Sequence, residues 1–359
     1  MGERKFNILI VGATGRIGKL IPDNFTRQVG MENIGSFTLY GREESKINAI
    51  IEQIQTQQLL AYTTAAESMS EIELPEYFPY RNFEQPDSLP IDLVFLVPSV
   101  RLTEDQRNNA NFRENYLKGN SEITERTVIP LLKNLINRQG FCPYILCLTN
   151  PVNAVTTYIY ERLASELGDV VDPKKIVASG GILDSHRAKI AIARWQRCLP
   201  KSVNAVTMGE HGETLFISPN LSTVGGASLT DLMCMFGEMR AQFTSVEAEV
   251  REKGLTLGKL IGTPTDIDPA MEMAILARHL LVRQKQRDIL LPAHGYDPEK
   301  GLFIGGSYRF SSKGCVPQEI DGIGWIEDSQ NEKAARKIHR AVDRMYEYSG
   351  LKRPKMIEF

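Results

Sequence analysis

The stretch FNILIVGATGRIG, residues 6–18, decides how this chain begins to fold. Its first six residues carry no charge, are mostly apolar and stop at a glycine. A short apolar run bounded by a turn reads as a strand buried on both faces. Gly12, Gly15 and Gly18 then recur three residues apart, with Ala13, Thr14, Arg16 and Ile17 between them, and a helical pattern follows. Glycines at such a corner permit a tight turn and let the backbone approach a pyrophosphate. The helix N-terminus beyond offers N–H groups and a positive partial charge. The spacing is GxxGxxG rather than GxGxxG, so the strand–turn–helix setting carries the inference more than the glycines do.

The alternation continues. SFTLYG (36–41), DLVFLVP (92–98), YILCLTN (144–150) and KIVASG (175–180) read as further buried strands. Val128, Leu131, Leu132 and Leu135 recur at helical spacing between the third and fourth strands, and Pro130 is expected to bend that helix or cost it one bond. The pattern predicts an α/β fold, with an N-terminal doubly wound parallel sheet of the Rossmann type. Residues from about 63 to 90 are acidic and contain prolines, and part of them reads as an inserted loop. The second half mixes strands with long helices, as an α+β substrate domain would. Its last helix is expected to start at a capping box, Ser329 to Glu332, to bury Ala335, Ile338, Val342 and Met345, and to stop at Gly350. No Gly/Ser-rich or Pro-rich linker separates the halves. The expected boundary lies near Gly180, giving a dinucleotide-binding domain over 1–180 and a catalytic domain over 181–359.

Composition narrows the function. The chain has 359 residues, 42% hydrophobic and 24% charged, with a formal net charge of -2. That balance suits a soluble globular protein and gives no general attraction to nucleic acid or anionic membrane. No apolar run is long enough for a bilayer. The N-terminal apolar run leads into the glycine turn rather than a cleavage site, and Phe6 stands where an N-myristoylation signal needs Ser or Thr. Five scattered cysteines without CxxC spacing suit reduced thiols in the cytoplasm, and no clustered His, Cys and Asp suggests a metal.

Four further motifs occur in order: RENYLKGN (113–120), LTNPVN (148–153), ILDSHR (182–187) and GEHGE (209–213). With LLPAHGYDPEKGLFIGGSYRF (290–310) they make nearly the whole chain resemble the lactate/malate dehydrogenase family. The resemblance implies hydride transfer between a nicotinamide cofactor and a 2-hydroxy or 2-keto acid, in a homodimer or homotetramer. Such a reduction needs a proton donor at the carbonyl oxygen, and histidine suits the task because its pKa lies near working pH. His211 is the candidate. An orienting carboxylate fixes the tautomer of such an imidazole, and the resemblance assigns that to Asp184. It assigns the substrate carboxylate to Arg187, whose planar guanidinium offers two parallel donors. Asn150 is expected at the reacting oxygen, with Asn120 and Thr149 on the cofactor side together with residues 12–18. His186, beside Asp184, should project elsewhere.

The loop before Asn120 matches the family in part. Arg113 corresponds to the Arg that polarises the carbonyl, and Arg107, six residues earlier, to the Arg that malate dehydrogenases keep for a second carboxylate. The loop is longer than usual, adds Arg101, and has Pro98-Ser99 where a glycine is expected. Pro269, Ala270 and Met271 stand where small residues or Thr often line the substrate, so lactate and malate are not assumed.

FTLYGREES (37–45) bears on the cofactor. Many relatives hold the adenine ribose there with an Asp. Here Gly41 removes the charge, and Arg42 with Ser45 and Lys46 can hold a 2′-phosphate. NADP is the expected cofactor, with NAD the alternative. Two other classes share these features: a non-catalytic nucleotide-binding sensor, and NAD-dependent glycosidases of the same fold, which need a Cys/His metal pair.

Overall fold

The computed structural model describes residues 5–63, 73–80, 90–101, 103, 112–260, 266–282, 288–311, 313–318 and 325–354. All five expected strands form: β1 (Phe6–Val11), β2 (Ile34–Tyr40), then, after β3 (Glu76–Pro79), β4 (Leu93–Leu96), β5 (Tyr144–Cys147) and β6 (Ile176–Ala178). They pair in parallel in the order β3-β2-β1-β4-β5-β6. The alternation of side chains explains why their sequences are apolar throughout. Leu9 and Val11 enter one core with α3 (Phe112–Ile123), α4 (Ile129–Gln139), α5 (Val152–Leu167) and α10 (Trp325–Tyr348). Ile8 and Ile10 enter the opposite core with α1 (Ile21–Val29), α2 (Glu44–Thr63) and α9 (Ile267–Leu281). Each such side chain, fully buried, contributes about 1.5–3 kcal/mol. The strand order reverses between β1 and β4, so a crevice opens outside their C-terminal ends.

Helix α6 (Gly181–Trp195) follows β6, and Gly180 immediately precedes it. Residues 203–228 form the two-residue strands β7 (Val203–Asn204), β8 (Thr207–Met208), β9 (Phe216–Ile217), β10 (Thr223–Val224) and β11 (Ala227–Ser228). Helices α7 (Leu229–Met235) and α8 (Glu238–Leu260) come next, and α8 packs on α6 through Phe243, Val246, Ala188 and Ile192. The antiparallel strands β12 (Ile289–Asp297), β13 (Leu302–Ser311) and β14 (Gly314–Pro317) extend the main sheet beyond β6, meeting it where His294 faces Ala178. No helix of the described residues is long and apolar enough to cross a membrane.

One local expectation needs correction. Helix α10 starts at Trp325, so Ser329 lies inside it and caps nothing. The early start has a tertiary cause: Glu327 accepts from Ser218 Oγ and Asn220 Nδ2, each at 2.7 Å, and so anchors the first turn. Within residues 63–90, part of which reads as an inserted loop, Glu76–Pro79 form β3, an edge strand that pairs with β2, and 64–72 and 81–89 lie outside the described residues. Other readings hold. Ala335, Ile338, Val342 and Met345 are buried. Gly350 ends α10 at φ +68°, with Leu351 N–H on Tyr346 C=O at 2.9 Å and Gly350 N–H on Glu347 C=O at 3.0 Å, the bond pattern of a Schellman stop. Ahead of Pro130 the helix widens into a π-type segment, Thr124–Val128, which accommodates the missing N–H and the ring.

Candidate active site

The glycine turn sits at the crevice. Gly12 N–H and Ala13 N–H both donate to Tyr40 C=O, at 2.9 and 3.0 Å, tying the turn to the end of β2. Gly12 has φ +90°, and a Cβ there would stand 2.7 Å from the backbone nitrogen of Pro98. Gly18 is equally confined, facing the Gly12 carbonyl with no room for a Cβ. These contacts bring the ends of β1, β2 and β4 within one backbone thickness of each other. The helix starts later than the glycines alone suggest: a single 3-10 turn, Gly18–Leu20, precedes α1. Arg16 is turned toward α9, with Nε 3.2 Å from Asp266.

At the end of β2 the backbone runs past Gly41, whose missing Cβ would meet Thr14 Cγ2 at 2.7 Å. Arg42, Glu43, Glu44, Ser45 and Lys46 are all exposed at the start of α2. Lys46 is held by Glu43 at 2.7 Å, so among the two basic residues Arg42 is the better placed for an incoming anion.

The ends of β4 and β5 are braced from within. Thr149 Oγ1 donates to Pro98 C=O at 2.7 Å. Asn120 is fully buried; its Oδ1 accepts from Val100 N–H at 2.7 Å and its Nδ2 donates to Asn150 C=O. Asn120 and Thr149 therefore use these groups to hold the rim of the crevice. Asn150 is exposed there, ahead of a cis peptide to Pro151.

Across the rim, the first two turns of α6 present the charged residues. His211 Nδ1 lies 2.5 Å from Asp184 Oδ2, and Arg187 Nη1 lies 3.3 Å from Asp184 Oδ1. A carboxylate only accepts, so Nδ1 carries the proton and Nε2 is the nitrogen left for chemistry. The backbone N–H of His211 donates to Asn153 Oδ1 at 2.9 Å, which fixes the residue at a second point. Burial pushes the His211 pKa down, but the adjacent Asp184 charge outweighs it and the net shift is upward. Burial pushes Asp184 up, but His211 and then Arg187 outweigh it and the net shift is downward. The pair therefore stabilises the fold between the two ionisations. Its Asp184 share is lost as pH falls through the depressed carboxylate pKa, and its His211 share as pH rises through the raised imidazole pKa.

The structure thus brings together His211, Asp184 and Arg187 as the motifs implied. His186 is exposed on another face of α6. Arg113 lies in the first turn of α3, Arg101 is exposed at the rim, and Arg107 lies outside the described residues. Of the candidate lining residues, Ala270 is buried, Pro269 half-buried and Met271 exposed. Two buried groups were missed. Glu272 on α9 accepts from Gly180 N–H and Ile182 N–H, each at 2.8 Å, and from Leu183 N–H at 3.2 Å. His294 on β12 lies with Nδ1 2.7 Å from Asn153 Nδ2, and burial pushes its pKa down to about 3. A lone acid within the buried stripe Ala270, Met273, Ala274 and Ala277 was the available signal for Glu272.

A parallel sheet in this strand order, with a glycine turn at its crossover, defines a Rossmann-type α/β protein. No family model matches the chain. The malate dehydrogenase of Sorangium cellulosum is 26% identical over 224 residues, covering 60% of this chain and 67% of that protein. The solved malate dehydrogenase of Plasmodium falciparum aligns over 96% of this chain and 99% of its own, with TM-score 0.75 and 16% identity. A lactate dehydrogenase from Eimeria maxima, solved with NADH and oxamate, aligns over 98% and 97% with TM-score 0.70 and 16% identity. The structural likenesses establish the shared fold. At the sequence level the chain is also similar to the malate dehydrogenase of Aeropyrum pernix, 30% identical over 202 residues and 59% of that protein's length. The chain spans between 57% and 67% of the length of the curated relatives it matches.

Proposed function

We propose that the protein is an NAD(P)-dependent 2-hydroxy acid dehydrogenase that prefers NADP and a substrate with a second anionic group. The observation that carries the reading is the His211–Asp184 contact of 2.5 Å with Arg187 one helical turn away. Pure nucleotide binding requires no such proton donor. Gly12 and Gly18 let the turn fold tightly on itself and against Pro98, and a tight glycine turn leading into a helix at the strand crossover fits a dinucleotide's pyrophosphate. Bound there, a nicotinamide cofactor supplies or accepts the hydride. In the reducing direction His211 Nε2 gives its proton to the substrate oxygen, and Asp184 stabilises the charged ring beforehand and holds its orientation. Arg187 keeps one nitrogen on Asp184 and offers its remaining donors to the substrate carboxylate. Asn150 supplies a hydrogen bond at the same oxygen. Oxidation of NADPH or NADH by a panel of 2-keto acids tests the reading, and binding without turnover on any of them would revive the sensor class.

The cofactor preference rests on Gly41 and Arg42. A charge-assisted contact to a 2′-phosphate is worth about 1.5–3 kcal/mol, about one to two decades in affinity. Arg42→Ala should weaken NADPH by that factor and leave NADH nearly unchanged, measured by fluorescence titration. Gly41→Asp should move preference toward NADH. Gly41→Ala is its control, because any Cβ at this position presses on Thr14. Equal losses for both cofactors after Arg42→Ala would assign Arg42 to the fold or the adenine instead.

The substrate preference rests on Arg107 and Arg113. A cation enclosed by loop closure costs desolvation energy unless the substrate brings an anion to it. Keto acids with a distal carboxylate or phosphonate should therefore exceed pyruvate in kcat/KM. Arg107→Gln should narrow that ratio, whereas Arg113→Gln should slow every substrate. If neither Arg107→Gln nor Arg101→Gln changes the ratio, specificity lies with Pro269 to Met271.

A further inference from the structure

We propose that Glu272 is a positioning residue for His211, and that its buried negative charge helps set the pH at which the imidazole loses its proton. Glu272 is 3% exposed and reaches from α9 into the N-terminal turn of α6. Its Oε2 holds Gly180 N–H, and its Oε1 holds Ile182 N–H and Leu183 N–H. Those three donors belong to a helix end whose first N–H groups lack intrahelical partners. A carboxylate there satisfies them and complements the helix dipole.

Two consequences reach the catalytic pair. Gly180 has φ +115°, and the space a Cβ would occupy is filled by the His211 ring, whose Nδ1 would be only 2.7 Å away. The imidazole therefore rests on the glycine that Glu272 holds. The turn held by Oε1 ends at Asp184, whose own N–H donates to Gly180 C=O at 2.9 Å. Glu272 thus fixes both the floor under His211 and the carboxylate beside it.

The charge state follows from the same geometry. Both oxygens accept N–H bonds, an arrangement that suits a carboxylate better than a carboxylic acid with a proton to donate. Burial pushes the Glu272 pKa up; the N–H groups of Gly180 and Leu183 pull against that push without outweighing it, and the net shift is upward. The charged and titratable groups around His211 are Asp184 and Arg187 on α6, His294 on β12 and Glu272 on α9. Asp184 and Glu272 favour its protonated form, and Arg187 opposes it. His294 is buried and uncharged at working pH.

The inference rests on His211 as the acid/base, so its test avoids turnover. Carbethoxylation of His211 by diethyl pyrocarbonate, read by peptide mass spectrometry over a pH series, reports the protonation of this one ring without any substrate. The exposed His186 is the internal control. Glu272→Gln should move the His211 midpoint to lower pH and leave that of His186 in place, while Glu272→Asp, which keeps the charge, should stay closer to wild type. A His211 midpoint unchanged in Glu272→Gln overturns the proposal. The wild type supplies a second check that needs no variant. The Gly180, Ile182 and Leu183 amides should exchange slowly at neutral pH and lose protection when acid protonates Glu272, and their rapid exchange at neutral pH also overturns it. A protein that shifts as expected here but turns over no keto acid would separate this inference from the proposed activity.

Discussion

His211→Asn is expected to cut turnover by about 10²–10⁴-fold, the usual contribution of a positioned general acid or base. Cofactor affinity should stay nearly unchanged. The substitution leaves the glycine turn and the β2 end untouched, and its lost nitrogen acts on the substrate oxygen. Asn153 still receives the backbone N–H of residue 211, so the loop should hold its place. The pH dependence supplies an independent reading of the same group. Reduction needs protonated His211 and declines as pH rises through its pKa in the ternary complex, whereas oxidation rises over the same range. Because Asp184 holds that pKa above the ordinary imidazole value of 6.5, the wild-type reducing limb should lie on the alkaline side of it. Asp184→Asn removes the main upward influence, so its reducing limb should move to lower pH, with a smaller loss of rate than His211→Asn. Steady-state kcat/KM across pH measures both. Near-normal turnover in His211→Asn would remove His211 as the acid/base.

Gly12→Ala carries the second large effect, on stability and cofactor binding together. The residue adopts φ +90°, and its Cβ would approach three backbone atoms of residues 97 and 98 within 2.9 Å. Left-handed backbone costs a residue with a Cβ about 1–2 kcal/mol, and overpacking adds about 1–3 kcal/mol. That sum is a substantial part of a domain's total stability of about 5–15 kcal/mol. Backbone cannot rotate away as a side-chain tip can, so the ends of β1 and β4 must separate at the glycine turn proposed to hold the cofactor. A lower melting temperature and loss of NADPH binding should appear together. Gly140→Ala is the control: φ is +73°, but nothing lies within 4 Å of its Cβ position. It should lose only the smaller conformational share and keep cofactor affinity. If Gly12→Ala behaves like Gly140→Ala, the close approach of the two strands is not what the glycine serves.

The parts of this molecule that were legible in its sequence are those encoded locally. Residues 6–11 are apolar at every position except Asn7 because both faces of a central parallel strand are covered, and this is visible without a fold. That His211, Asp184 and Arg187 lie together was legible through the family resemblance their motifs carry. β3 was not, since an edge strand with Phe78 and Glu76 exposed lacks a buried run and sits among prolines and acids. The start of α10 misled for the opposite reason. Ser329 to Glu332 is a valid local signal, overridden when Glu327 finds partners more than a hundred residues away. Glu272 and His294 were hidden in the same way. A buried acid looks like a misfit until the N–H of Gly180, 92 residues distant, is brought against it. Local pattern reports periodicity and turns; the partners of buried polar groups are set by topology.

The central claim is hydride transfer at this crevice, with His211 supplying the proton. Its most direct test incubates the protein with NADPH deuterated at the transferring C4 position and a dicarboxylic 2-keto acid, then analyses the product by mass spectrometry. Wild type should form a 2-hydroxy acid with deuterium at C2, and His211→Asn essentially none. Recovery of unchanged keto acid across mono- and dicarboxylic substrates with both NADPH and NADH, or a product without deuterium at C2, would contradict the claim.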